Sequence, residues 1–138
     1  MTVAYLDLAD FLAIAEVVLG TPAEAFARVA DLGLADSALH APAAGFGDEE
    51  FYPDLALKAA VLCAHLVKNH PLPDGNKRMA LVCTIEFCAR NGRTWTPPPG
   101  DDDGEETAAV IWDLAVGPAG DKEIDALAAW IKDRWTAP

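Results

Sequence analysis

Two stretches of this 138-residue chain, PDLALKAAVLCAHLVKN (53–69) and GNKRMALVCTIEFCARN (75–91), are apolar on nearly every side of a helical wheel. A helix of that kind has to be buried by its neighbours. Between the two, Pro71, Leu72, Pro73 and Asp74 are available to turn the chain, so the helices must be near neighbours. Any fold for this chain is therefore built around one central helix pair, with the remaining elements covering it.

The cover is legible from periodicity. Leu6, Ala9, Phe11, Ile14, Val17 and Val18 fall roughly along one helical face over 6–19, and Gly20 ends the pattern. Thr21-Pro22 reads as an N-cap and first helical residue of a helix running to about Leu32. Residues 33–51, with Gly33, Pro42, Gly45 and Gly47, read as a long connection of the kind that often serves as a functional flap. After TWTPPPGDDDGEE, helices are predicted over about 105–116 and 123–135, the latter with Leu127, Trp130 and Ile131 inward. Asp101–Asp103 lie where acids favour a helix N-terminus. A hydrophobic content of 52%, mostly Ala and Leu, suits helices and one core. The expectation is an all-α, single-domain chain (1–138), a compact bundle of about six helices, with Trp95, Trp112, Trp130 and Trp135 in core or interface positions.

The formal charge of −12 disfavours nucleic acid and anionic membrane surfaces as partners. It is unevenly distributed. Residues 58–93 hold six of the ten cations (Lys58, Lys68, Lys77, Arg78, Arg90, Arg93) and two acids (Asp74, Glu86), for a local +4 in a chain that is otherwise −16. An isolated positive island suggests a site for a compact anion such as a nucleotide phosphate. Arg90 and Arg93 suit a helix end, whereas Lys77 and Arg78 lie at a helix start, where the macrodipole disfavours cations. Cys63, Cys83 and Cys88 have no metal-ligand or redox spacing and read as reduced core residues. The opening MTVAYLDLADFLAIAEVVLG has no basic leader, and acids interrupt its apolar run, which predicts neither a signal peptide nor a membrane span but a cytoplasmic protein.

The turn between the central helices reads HPLPDGNKR (70–78). Gly75, Asn76, Lys77 and Arg78 fall where a helix begins, so the first backbone N–H groups lack partners and, with the side chains, form a credible anion cradle. The spacing is not that of a P-loop. Asp74 has two readings, an N-cap for the second helix or a carboxylate for a Mg²⁺ that bridges phosphates. His70 likewise reads either as a general base beside bound phosphate or as a residue closing the first helix through its last carbonyls.

HPLPDGNKR resembles the signature of the Fic/Doc family, His-x-Phe-x-(Asp/Glu)-(Gly/Ala)-Asn-(Gly/Lys)-Arg, and its Asn-Lys-Arg ending is similar to the Doc (death-on-curing) branch. YPDLALKAAVLCAHLVKNHPL before it, ARNG after it and DLAVGPAGDKEIDALAAWI near the end resemble that branch as well. The resemblance implies a Fic fold in which ATP and Mg²⁺ bind over the motif and a protein hydroxyl is modified. In it His70 would activate the hydroxyl, Asp74 would be the Mg²⁺-linked carboxylate, and Gly75, Asn76, Lys77 and Arg78 would bind phosphate. For the Doc branch it further implies a toxin that phosphorylates a threonine of elongation factor Tu and is paired with an antitoxin, with target or antitoxin expected near 33–51. Two positions depart from the pattern. Leu72 stands where the family has Phe, and Leu81 where Fic adenylyltransferases have a second arginine. The latter, with Lys77 in place of glycine, points away from AMP transfer. Adenylyl transfer and a catalytically silent binding module on the same fold are the alternatives.

Overall fold

The computed structural model describes residues 2–136. Among the described residues there are seven α-helices: α1 (Leu8–Leu19), α2 (Ala23–Val29), α3 (Leu32–His40), α4 (Leu55–Asn69), α5 (Asn76–Arg90), α6 (Glu105–Val116) and α7 (Asp121–Lys132). Two very short antiparallel pairs complete the fold, β1 (Gly45–Phe46) with β2 (Glu49–Glu50) and β3 (Thr94–Trp95) with β4 (Trp135–Thr136). The chain is all-α, as its sequence predicts. Helix α4 is the central element, packed by α3, α5, α6 and α7. Ten of its fifteen residues are buried, which is why it carries apolar residues on all sides. Phe11, Leu39, Leu62, Leu66, Met79, Phe87 and Ile131 meet in one core, each aliphatic or aromatic side chain contributing about 1.5–3 kcal/mol by burial.

The seventh helix is α3, in the stretch that reads as an irregular connection. Asp31 accepts a hydrogen bond from Leu34 N (3.0 Å) and so caps it, while Ala35, Ala38 and Leu39 supply a buried face. Gly33 lies on the exposed side of the first turn, where it costs helix stability but not packing, and burial of the opposite face prevails. Helix α2 is shorter than its pattern suggests, and Thr21 does not cap it: Pro22 holds the N-cap position without a side-chain hydrogen bond. Glu16 of α1 instead accepts from Ala23 N (3.3 Å). Helix α7 ends at Lys132 rather than 135, because the chain turns there so that Trp135 pairs with Trp95 across β3 and β4.

Buried Lys58, 1% exposed, ties the β1–β2 hairpin to α4. Its Nζ donates to Glu50 (2.9 Å) and to the Pro42 carbonyl (3.2 Å), and lies 5.6 Å over the Tyr5 ring. Burial opposes the Lys58 charge, yet Glu50 and Tyr5 outweigh it and hold the ammonium above its ordinary range. Cys63, Cys83 and Cys88 are free and buried. Desolvation pushes the first two thiols up to about 12 and Cys88 to about 11, so they are packing residues rather than nucleophiles. Trp95 and Trp130 meet edge to face at 5.7 Å, with the Arg134 guanidinium 3.4 Å over Trp130. Of the two positions expected for the tryptophans, core or interface, Trp112 does not take the core one: it is 55% exposed. No helix among the described residues is long and apolar enough to cross a membrane.

Candidate functional site

The turn from α4 to α5 is built by three local devices. His70 ends α4 in the left-handed region (φ 52°, ψ 55°), the one non-glycine residue with positive φ among those described. Histidine tolerates that region better than most residues, but Pro71 follows it and restricts it further. A conformation of this kind persists because its surroundings over-determine it. Here they do: the Pro71 carbonyl accepts from Asp31 N (2.7 Å), anchoring the turn to the start of α3. The Asn76 side chain accepts from Leu72 N (2.9 Å) and donates to Leu72 O (2.7 Å), clasping both backbone groups of one residue. Leu72 is itself only 2% exposed. The leucine thus anchors the turn in the core at the position where the family pattern has Phe.

Gly75 then takes a left-handed conformation (φ 86°) as the N-cap of α5. A Cβ there would be strained, and would come within 2.8 Å of Leu19 Cδ2 at the end of α1. Asp74 is not the N-cap; it accepts from its neighbour Gly75 N (2.9 Å) and is exposed. Beyond it, the N–H groups of Asn76, Lys77 and Arg78 donate to no acceptor among the described residues, and α5 has no side-chain cap. This is the open, positive end of a fifteen-residue helix. Lys77 and Arg78 are exposed beside it. The Asn76 side chain is occupied by the clasp, so what that residue presents to the cavity is its backbone donor.

All six candidate residues, His70, Asp74, Gly75, Asn76, Lys77 and Arg78, line a single cavity of about 650 Å³. His70 makes no hydrogen bond among the described residues, and none to the last carbonyls of α4. The rest of the cavity's lining, outside 70–78, is absent from the sequence reading: Leu19 from α1, Thr21 from the α1–α2 turn, and Phe26 and Val29 from α2. The spacing of Phe26 and Val29, three apart on one helical face, was the available signal. Nothing from 33–51 lines this cavity. The β1–β2 hairpin is anchored through Lys58, twelve positions before His70 on the chain and so ~18 Å away along α4.

A second groove, of about 540 Å³, runs between α5 and α6 and shares Lys77 and Arg78 with the first; Leu81, Ile111 and Trp112 give it apolar walls. The Lys77 ammonium lies 5.3 Å from the Trp112 ring centroid. Lys77 therefore rests against α6, at the border of the two spaces.

Among the described residues no group of three or more His, Cys, Asp or Glu side chains is gathered as a metal cage. Asp74, the one carboxylate lining the motif cavity, fits the way Mg²⁺ is commonly held, by one or two carboxylates together with substrate phosphates. Uncapped donors at a helix start, a histidine across the turn and a single carboxylate line one space, an arrangement whose chemistry would suit a phosphorylated ligand with a proton acceptor beside it. A model of the Fic/DOC family matches residues 5–88, and the chain belongs to that family. The chain is also similar to a curated protein named Toxin Doc from Mycolicibacterium smegmatis (strain ATCC 700084 / mc(2)155), with 39% identity over 88 residues. That match covers 64% of this chain and 65% of the relative, so it spans a little less than two thirds of the relative's length.

Proposed function

We propose that residues 1–138 act as one Fic/Doc domain, a cytoplasmic toxin that transfers the γ-phosphate of ATP to a Ser/Thr hydroxyl of a translation factor similar to elongation factor Tu, arrests translation, and is restrained by a cognate antitoxin. The observation that carries the reading is the single cavity in which His70, without a hydrogen-bond partner, faces the same space as the uncapped N–H groups of α5 with Lys77 and Arg78.

Phosphoryl transfer asks a protein mainly for positioning and for neutralisation of charge. The α5 donors and the two cations orient and neutralise phosphate oxygens. His70 takes the proton of the attacking hydroxyl. Asp74 would hold the Mg²⁺ that offsets phosphate charge. Burial of Leu72 and the Asn76 clasp keep these groups in register, because His70 and the cradle are the two ends of one immobilised turn.

The choice of phosphate over AMP rests on two residues, Leu81 and Lys77, the latter standing where the adenylyltransferase pattern has glycine. Leu81 gives the α5–α6 groove an aliphatic wall where a second arginine would stand, which leaves Lys77 and Arg78 as the cations lining either space. Incubation of the purified protein with Mg²⁺, elongation factor Tu and ATP labelled separately at the γ and α positions tests the reading. Transfer of γ label alone is expected. Transfer of α label would replace it with adenylylation. A His70→Ala protein that arrested growth as wild type does would instead favour a silent binding module.

A further inference from the structure

Thr21 reads from the sequence as a helix cap, and the fold relieves it of that task. Glu16 takes the free N–H of Ala23, and the Thr21 hydroxyl makes no hydrogen bond among the described residues. The residue is half-buried and lines the same cavity as His70, Asp74, Lys77 and Arg78. Its turn is pressed against the cradle: Leu19, two residues earlier, approaches Gly75 so closely that a Cβ would sit 2.8 Å from Leu19 Cδ2. Two residues span at most ~7 Å of chain, so Thr21 is held to the neighbourhood of the α5 N-terminus. The left-handed cap at Gly20 (φ 74°) and the fixed φ of Pro22 bracket it.

We propose that Thr21 is an internal acceptor hydroxyl, modified by the chain's own site. The inference rests on the phosphotransfer reading above and extends it to this residue. With ATP in the cavity, Oγ1 of Thr21 forms a bond to the γ-phosphorus and its proton passes to His70. The bond from that phosphorus to the bridging oxygen breaks, and its electron pair leaves with ADP. The resulting phosphothreonine carries about −1.5 to −2 charges at neutral pH. It shares its cavity with Lys77 and Arg78, and the Arg78 guanidinium can bind a phosphate in bidentate fashion. The modification thus fills the cradle that made it and is self-limiting.

The test uses the full chain with Mg²⁺ and γ-labelled or α-labelled ATP, first alone and then with added elongation factor Tu, followed by peptide mapping of the labelled residue. The expected result without any other protein is γ label at Thr21 that levels off at a single phosphate per chain. Its rate per chain should be unchanged on dilution, and transfer to the added protein should fall as it accumulates. Thr21→Val is expected to lose the label, and Thr21→Ser, which restores a hydroxyl with a smaller side chain, to regain it as phosphoserine. Label on a different residue, or label retained in Thr21→Val, overturns the inference. So does labelling of the added protein with none on the chain, a result that would leave the kinase reading intact. Label from the α position at Thr21 would keep Thr21 as acceptor and overturn the kinase reading; absence of label on both proteins would overturn both.

Discussion

Helices α5 and α6 begin alike and are finished differently. Each starts after a glycine in the left-handed region, Gly75 (φ 86°) and Gly104 (φ 78°), with aspartates just upstream. At α6 the donors are all taken: Asp103 accepts from Glu105 N, and buried Asp101 accepts from Glu106 N, Thr107 N and the Thr107 hydroxyl at 2.8, 3.2 and 2.6 Å. Acids, Glu105 and Glu106, occupy its first turn, as the macrodipole favours. At α5 the nearby aspartate is exposed, three backbone donors are left over, and the first turn carries Lys77 and Arg78 against the dipole. One helix end has been closed for stability. The other has been left open at a cost in stability, and it shares its cavity with His70.

The contrast can be broken at several points. The largest effect is expected from His70→Ala, which should reduce transfer roughly 100- to 10,000-fold, the range for loss of a general base, while sparing nucleotide binding. Single-turnover rates and equilibrium binding of labelled ATP separate the two, and a parallel loss of affinity would mean that His70 holds the turn instead. Next, Arg78→Ala removes charge-assisted hydrogen bonds of about 1.5–3 kcal/mol, so nucleotide affinity should fall about 10- to 100-fold with little change in melting temperature. An unchanged affinity would remove the cradle assignment.

At the closed end the sign reverses. Asp101→Asn should lower the melting temperature by several degrees without altering nucleotide affinity, whereas Asp74→Asn should do the opposite. The pH dependence sharpens this. The Thr107 hydroxyl, followed by the backbone of Glu106 and Thr107 and by Arg134, holds the Asp101 carboxyl below the usual carboxylate range against the opposing effect of burial. A carboxyl depressed in the folded state stabilises above its unfolded value, about 3.9, and that contribution is lost as pH falls through the folded value. Below about pH 4 the wild-type melting temperature should therefore fall more steeply than that of Asp101→Asn. Equal slopes in thermal scans would contradict the cap.

The smallest effect concerns Lys77. Resting on Trp112 is worth about 0.5–1 kcal/mol at an exposed site, and a bound phosphate has to draw the ammonium off that ring. Trp112→Leu should therefore tighten nucleotide binding by about 2- to 5-fold. Weaker binding would show that the indole orients the lysine toward the phosphate rather than withholding it.

Much of this molecule follows from local pattern. The central pair α4 and α5 is legible because a helix buried on all sides has to be apolar on all sides, and the cradle because a glycine followed by uncapped residues and cations is a local statement about a helix start. The aspartates before α6 are legible as helix-start residues for the same reason. Helix α3 is not, since its short buried face is offset in sequence by an exposed Gly33, and packing against α4 and α1 makes the helical state prevail.

The roles of individual side chains depended on distance across the fold. That the Asn76 side chain is a clasp rather than a donor to the cavity follows from how the turn closes on Leu72. Thr21 is free because Glu16, five positions earlier, reaches Ala23 N first. The Lys77–Trp112 contact joins residues thirty-five positions apart, and no periodicity can announce a pair brought together only by the packing of two helices. The sequence by itself determined the elements, because hydrogen bonding and burial of a helix are settled within a few turns. Which side chains share one cavity was decided only by tertiary structure, because that depends on where separate helices are pressed together.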